Sequence, residues 1–141
     1  MKIIKYLSVI LSLSLLSGCG TARYIVPEVK GDSCKVYVFR DSFHLVWSLT
    51  VDVKTDTYAK LNDKTYTHFK LPVGEHIVEA NWAPGSGGVD LDVPLTCKVN
   101  ETAYIVFFGT YDGYYRTIKG GYLSKEQAEE KMRTHKLAGT E

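Results

Sequence analysis

From residue 33 onward the chain alternates apolar and polar positions in short runs punctuated by glycine, proline and Asx residues, a period of two that predicts strands. Lys35-Val36-Tyr37-Val38-Phe39-Arg40 is β-branched and aromatic, with apolar side chains on both faces, and predicts a central strand covered on two sides. From His44 to Lys54 the alternation is cleaner. Leu45, Trp47, Leu49, Val51 and Val53 share one face, which predicts a half-buried antiparallel strand. Tyr58 to Leu61 and Thr65 to Leu71 read as short strands flanking the turn residues Asn62-Asp63-Lys64. Leu71-Pro72-Val73-Gly74 suits a type I turn, and the next strand carries His76, Val78, Ala80 and Trp82 on one side. Beyond the glycine-rich loop at 83–88 comes the longest alternation, Val89, Leu91, Val93, Leu95, Cys97 and Val99. Pro94, on the opposite parity, predicts an edge or a bulge. Ala103 to Phe108 predicts a second central strand, and Asp112-Gly113 between Tyr111 and Tyr114 is a type I′ hairpin signal.

After Gly120-Gly121 the period changes. Ser124 with Gln127 resembles a capping box, Glu126, Glu129 and Glu130 sit early, and Lys131, Arg133 and Lys136 sit late, predicting one C-terminal helix. Its apolar stripe, mainly Ala128 and Met132, is thin, so the helix is expected at the sheet edge rather than in the core. The expected fold class is all-β: an antiparallel β-sandwich, immunoglobulin- or transthyretin-like, of about 7–8 strands with one C-terminal α-helix.

The first residues follow a different pattern. Lys2 and Lys5 precede an apolar run from Tyr6 to Leu16, which ends in Leu16-Ser17-Gly18-Cys19. A run of eleven residues, three of them serine, is too short to span a bilayer, which takes about 20. The motif resembles a bacterial lipobox, in which small residues before a cysteine direct cleavage once the thiol carries a diacylglycerol. Residues 1–18 then form a lipoprotein signal peptide, with Cys19 the acylated first residue of the mature chain; the alternative is an ordinary secretory signal cut without lipid. Two or three acyl chains anchor firmly where one binds only marginally. Gly20 in place of Asp, by resemblance to the sorting rule of enteric bacteria, points to the periplasmic face of the outer membrane. Residues 19–32, with Pro27 and Gly31, read as a lipidated tether, and 33–141 as the β-sandwich domain with its helix.

Charge and cysteine content narrow the picture further. Removing 1–18 leaves 123 residues, one domain's worth, with 15 basic and 16 acidic side chains scattered along it. That balance excludes an electrostatic nucleic-acid binder. Cys34 and Cys97 share parity with apolar neighbours in an oxidising compartment, so they are expected to pair in a disulfide; two separate buried thiols is the plainer alternative.

The four histidines, His44, His68, His76 and His135, lack metal-ligand spacing, and no metal or other cofactor is assigned. His76, following Gly74, is expected to be structural, with a ring nitrogen bonded to a loop carbonyl. The competing role, a base beside Glu75, suffers because strand neighbours point to opposite faces. There is no G-x-S-x-G elbow, and Ser42, Ser48 and Ser86 have no evident base, so no catalytic residue is assigned and the chain is expected not to be an enzyme. Asp90 and Asp92 read as solvated strand residues rather than a calcium pair. The remaining candidate is a ligand-binding cluster of Tyr111, Tyr114, Tyr115 and Arg116, with Tyr122 and Trp82 near it, able to stack on glycan rings or anchor a protein. Cross-strand aromatic pairing in a hairpin is the alternative.

Cys34-Lys35-Val36-Tyr37-Val38-Phe39-Arg40, Val51-Asp52-Val53, Ala59-Lys60-Leu61-Asn62, Tyr66 and Leu71-Pro72-Val73-Gly74-Glu75-His76 together resemble the bacterial family catalogued as domain of unknown function 2846. The likeness runs from about Cys34 to Lys131, with Val73 standing between the proline and glycine of the family's P-G-x-H turn. It implies a small envelope sandwich, often lipid-anchored, and brings no activity with it. The expected function is a non-enzymatic, lipid-anchored binding or structural module for an envelope protein or a peptidoglycan-type glycan. Alternatives are a periplasmic immunity-type inhibitor, or a metal-binding or hydrolytic envelope protein using His76.

Overall fold

In the computed structural model, which describes residues 24, 26–41, 48–83 and 88–139, burial follows the alternation. Strand β1 (Ser33–Arg40) buries Cys34, Val36 and Val38, and β2 (Leu49–Val53) buries Leu49, Val51 and Val53. The chain continues through β3 (Asp56–Leu61), β4 (Thr65–Pro72), β5 (Gly74–Trp82), β6 (Leu91–Cys97), β7 (Thr102–Asp112) and β8 (Tyr115–Tyr122), then helix α1 (Lys125–Thr134) and the short β9 (Lys136–Leu137). The strands form a five-stranded sheet, β8-β7-β1-β4-β9, and a four-stranded sheet, β3-β2-β5-β6. Their facing sides make the main core, with Leu49, Leu61, Val78 and Ile105 fully enclosed. This is an all-β sandwich with a C-terminal helix. The β1 and β7 pair is parallel, so the larger sheet is mixed rather than purely antiparallel.

β1 lies at the centre of its sheet, and Pro94 falls on β6, an edge strand whose ladder tolerates a missing N–H. The run expected from His44 is a strand from Leu49; residues 42–47 lie outside the described residues. The long alternation at 89–99 narrows to Leu91–Cys97, with Val89 bridging instead to Thr117 of β8 and tying the two sheets at that edge.

Three expectations need correction. Leu71 to Gly74 is a corner between sheets, not a type I turn: Pro72 still pairs with Ser33 in one sheet, while Gly74 pairs with Cys97 in the other. Gly74 takes φ 135°, a backbone conformation open to glycine and costly for other residues. The β7–β8 loop is Gly113-Tyr114, because Asp112 pairs with Tyr115. Gly113, at φ 61°, therefore occupies the first central position, which a type II′ turn reserves for glycine.

The helix, finally, lies across the outer face of the five-stranded sheet and not at its edge. Ala128 is fully buried there with Phe39 and Val106, beside Tyr37, Tyr66, Tyr104, Leu123 and Met132. A thin helical stripe suffices because the sheet supplies the aromatic area. The capping box forms as expected, with Ser124 and Gln127 exchanging hydrogen bonds with each other's backbone N–H groups.

Cys34 and Cys97 form a disulfide, joining β1 of one sheet to β6 of the other with Cα atoms 5.4 Å apart. Both are almost completely buried, as their parity required.

Candidate functional site

β1 and β7 run parallel, so both start at the end where residues 26–32 lead into Ser33. The last β1 pair is Arg40 with Phe107, yet β7 continues to Asp112 before turning back into β8. From Thr102 to Asp112 the strand covers roughly 33 Å at about 3.3 Å per residue. The Val89–Thr117 bridge holds the hairpin at its root, and residues 111–116 project beyond it, at the end opposite Ser33. This arm carries the two most exposed aromatic side chains described, Tyr114 at 100% and Tyr115 at 65%, together with Tyr111 at 54%.

The register decides which of them share a face. Tyr111 is opposite Arg116, while Tyr115 is opposite Asp112, so Tyr111 and Arg116 lie on one side of the ribbon, Tyr115 lies on the other, and Tyr114 forms the tip. Tyr122 pairs with Ile105 at the far end of β8, and its hydroxyl donates to the Pro94 carbonyl, linking the two sheets. Trp82 is in the core at 6% exposure. The structure therefore brings Tyr111, Tyr114, Tyr115 and Arg116 together as a two-sided arm, and it separates Tyr122 and Trp82 from them.

His76 points inward from β5 as its parity required, and its Nε2 lies 2.7 Å from the Pro72 carbonyl oxygen. Its Nδ1 is buried without a partner. The ring borders a hollow of about 330 Å³ formed with Pro27, Val29, Val53, Tyr58 and Leu71. Glu75 points away to the opposite face, where its carboxylate accepts from Thr96. Asp90 does more than face solvent, since its Oδ1 accepts the Trp82 backbone N–H at 2.9 Å. Asp92 is exposed. Among the described residues, no group of three or more His, Cys, Asp or Glu side chains is arranged to hold a metal ion.

Two polar groups carry no signal in the sequence. Asp41, just after β1, receives both Lys131 Nζ, at 2.7 and 2.8 Å, and His135 Nε2 at 3.0 Å, clamping both the last turn of α1 and the residue after it to the sheet. Arg40 is 2% exposed and donates to the Leu61 carbonyl; burial lowers its affinity for a proton and Asp63 partly restores it. Such pairs, 21 to 94 residues apart, leave no local signature beyond an arginine on a strand's apolar parity.

Cys19 lies outside the described residues, and among those described no helix is long and apolar enough to cross a membrane. Comparison with protein-family models, curated proteins and solved structures gives no match for this chain.

Proposed function

We propose that this protein is a non-enzymatic binding module of the bacterial cell envelope, anchored through an acylated Cys19, which presents the β7–β8 arm to a partner, either an envelope protein or a peptidoglycan-type glycan. The observation that carries the reading is the overhang of β7 past β1, with Tyr114 fully exposed at its tip, at the end opposite the tether. An isolated surface aromatic needs no explanation; three on one short protruding ribbon do. Tyrosine offers a large amphipathic surface at low entropic cost, and for that reason it is enriched at binding hot spots. Gly113 and the bridge to Val89 fix the ribbon's shape, so partner binding need not pay to order it.

The test is paired. Tyr114→Ala and Tyr115→Ala should weaken partner retention at least tenfold, as hot-spot truncations do, without lowering the melting temperature, because exposed side chains contribute little to folding. Retention by isolated sacculi would identify a glycan partner, and retention surviving muramidase a protein. Unchanged retention in the double variant would refute the assignment. Palmitate labelling of the parent but not of Cys19→Ser tests the anchor.

A further inference from the structure

We propose that the tether-proximal half of the five-stranded sheet's outer face, formed by Lys35, Tyr37, His68, Lys70 and Tyr104, rests on the anionic phospholipid headgroups of the bilayer; this rests on the anchoring reading above. Lys35 and Lys70 are directly opposite on adjacent strands and share one face, an arrangement that destabilises a sheet unless negative charge lies against it. Among the described residues neither lysine meets a carboxylate within ion-pair distance. Lys35 Nζ instead lies 4.9 Å from the centre of the Tyr37 ring. Next to the lysines runs an aromatic row across three strands, Tyr104 to Tyr37 at 5.5 Å and Tyr37 to His68 at 5.3 Å. Half-buried tyrosines beside lysines are the side chains that favour the headgroup level of a membrane.

The two outer faces differ in sign. Outward positions on β1, β4 and β7 from Lys35 to Phe108 include two lysines and a histidine but no carboxylate. Across the sandwich, Asp52, Glu79 and Asp92 face outward on three successive strands in one register row, with Glu75 nearby. A tethered domain of this kind lies with its lysine face toward an anionic surface and its carboxylate face away. Residues 26–30 lie against the body beside His76, which leaves residues 19–25, roughly 23 Å at about 3.3 Å per residue, to reach the membrane; Lys35 is two residues into β1, so contact is within reach. Helix α1 occupies the distal half of the same face, so contact at the lysine end tilts the strands and lifts the tyrosine arm off the membrane.

Each lysine near an anionic surface biases binding roughly fivefold, so the pair biases it roughly thirtyfold. That is too little to hold a free protein and enough to orient a tethered one. The experiment places a photoreactive side chain at Thr102, paired with Lys35, or at Ile77 on the opposite outer face, in the full chain anchored to vesicles. Lipid adducts from Thr102 should exceed those from Ile77 at least tenfold on phosphatidylglycerol-containing vesicles. The excess should vanish on pure phosphatidylcholine and in Lys35→Glu/Lys70→Glu. Equal yields from the two positions, or an excess that survives charge reversal, would overturn the proposal. Coupling the Cys19 thiol to a maleimide lipid gives the same geometry without natural acylation. The face is thereby tested even if the anchor reading fails, and that failure would appear separately as absent fatty-acid label.

Discussion

The Nε2 of His76 lies 2.7 Å from the carbonyl oxygen of Pro72, across the corner where the chain leaves one sheet for the other. A carbonyl only accepts, so the ring nitrogen carries the proton and donates. The bond closes the corner that Gly74 opens with its positive φ. Replacing His76 with Ala should cost about 1 kcal/mol, the net worth of one such bond. Gly74→Ala should cost about 1–3 kcal/mol through backbone strain. Urea unfolding of the two variants checks both values, and a His76→Ala protein as stable as its parent would remove the histidine's structural role.

The Cys34–Cys97 bond closes a loop with a sequence separation of 63 residues and joins the two sheets. On the chain-entropy account, such a closure stabilises by roughly 4 kcal/mol. Unfolding of Cys34→Ala/Cys97→Ala should shift to lower denaturant by that amount, and free-thiol titration of the native domain should find neither sulfur reactive. A variant within about 1 kcal/mol of the parent would mean that the sheets hold each other without the bond.

Asp41 accepts two hydrogen bonds from Lys131 and one from His135, against a helix that buries only Ala128 completely. With so little apolar area beneath it, α1 should depend on this charged clamp. Asp41→Asn is expected to cost about 1.5–3 kcal/mol, and the amides of α1 should lose exchange protection before those of β1. Uniform loss over helix and sheet would contradict the clamp.

How much of this was legible in the chain depended on distance along it. Val36, Val38, Leu49, Val51 and Val53 announce their strands, because the side-chain period is local. The apolar residues on both faces of β1 even announced a second covering layer, which is α1. The seat of the helix is not legible in its own sequence, because Ala128 and Met132 are meagre cover for a sheet, whereas Tyr37, Phe39, Tyr66 and Tyr104 provide the contact area from below. Leu71-Pro72-Val73-Gly74 misled for another reason: a hairpin and a corner between sheets use the same turn chemistry, and only the later pairing of Gly74 with Cys97 separates them. In the arm, parity alone sets Tyr111 apart from Tyr115 once the loop is known to be Gly113-Tyr114. The Asp41 clamp spans 90 and 94 residues and had no local pattern to betray it.

Acid should destabilise the fold partly through His68, whose imidazole is held below its ordinary value of 6.5, first by burial and then by Lys35. The unfolded chain therefore takes up the proton before the folded one does. This contribution to stability is complete above pH 6.5 and is lost as the pH falls from there through the lower folded value. Much of the ring is in solvent, so the effect is small. His68→Gln should flatten the stability profile over that interval, measured by denaturant midpoints across the pH series; an unchanged slope would assign the acid sensitivity elsewhere.

The central claim is that the β7–β8 arm is the surface by which this protein engages its partner. The most direct measurement is cross-linking in intact cells from a photoreactive side chain placed at Tyr114, with the same group at Lys60, exposed on β3, as the control. A discrete adduct from Tyr114, absent from Lys60 and abolished by Tyr115→Ala, is the predicted result. Identical adduct patterns from both positions, or none from Tyr114, would contradict it.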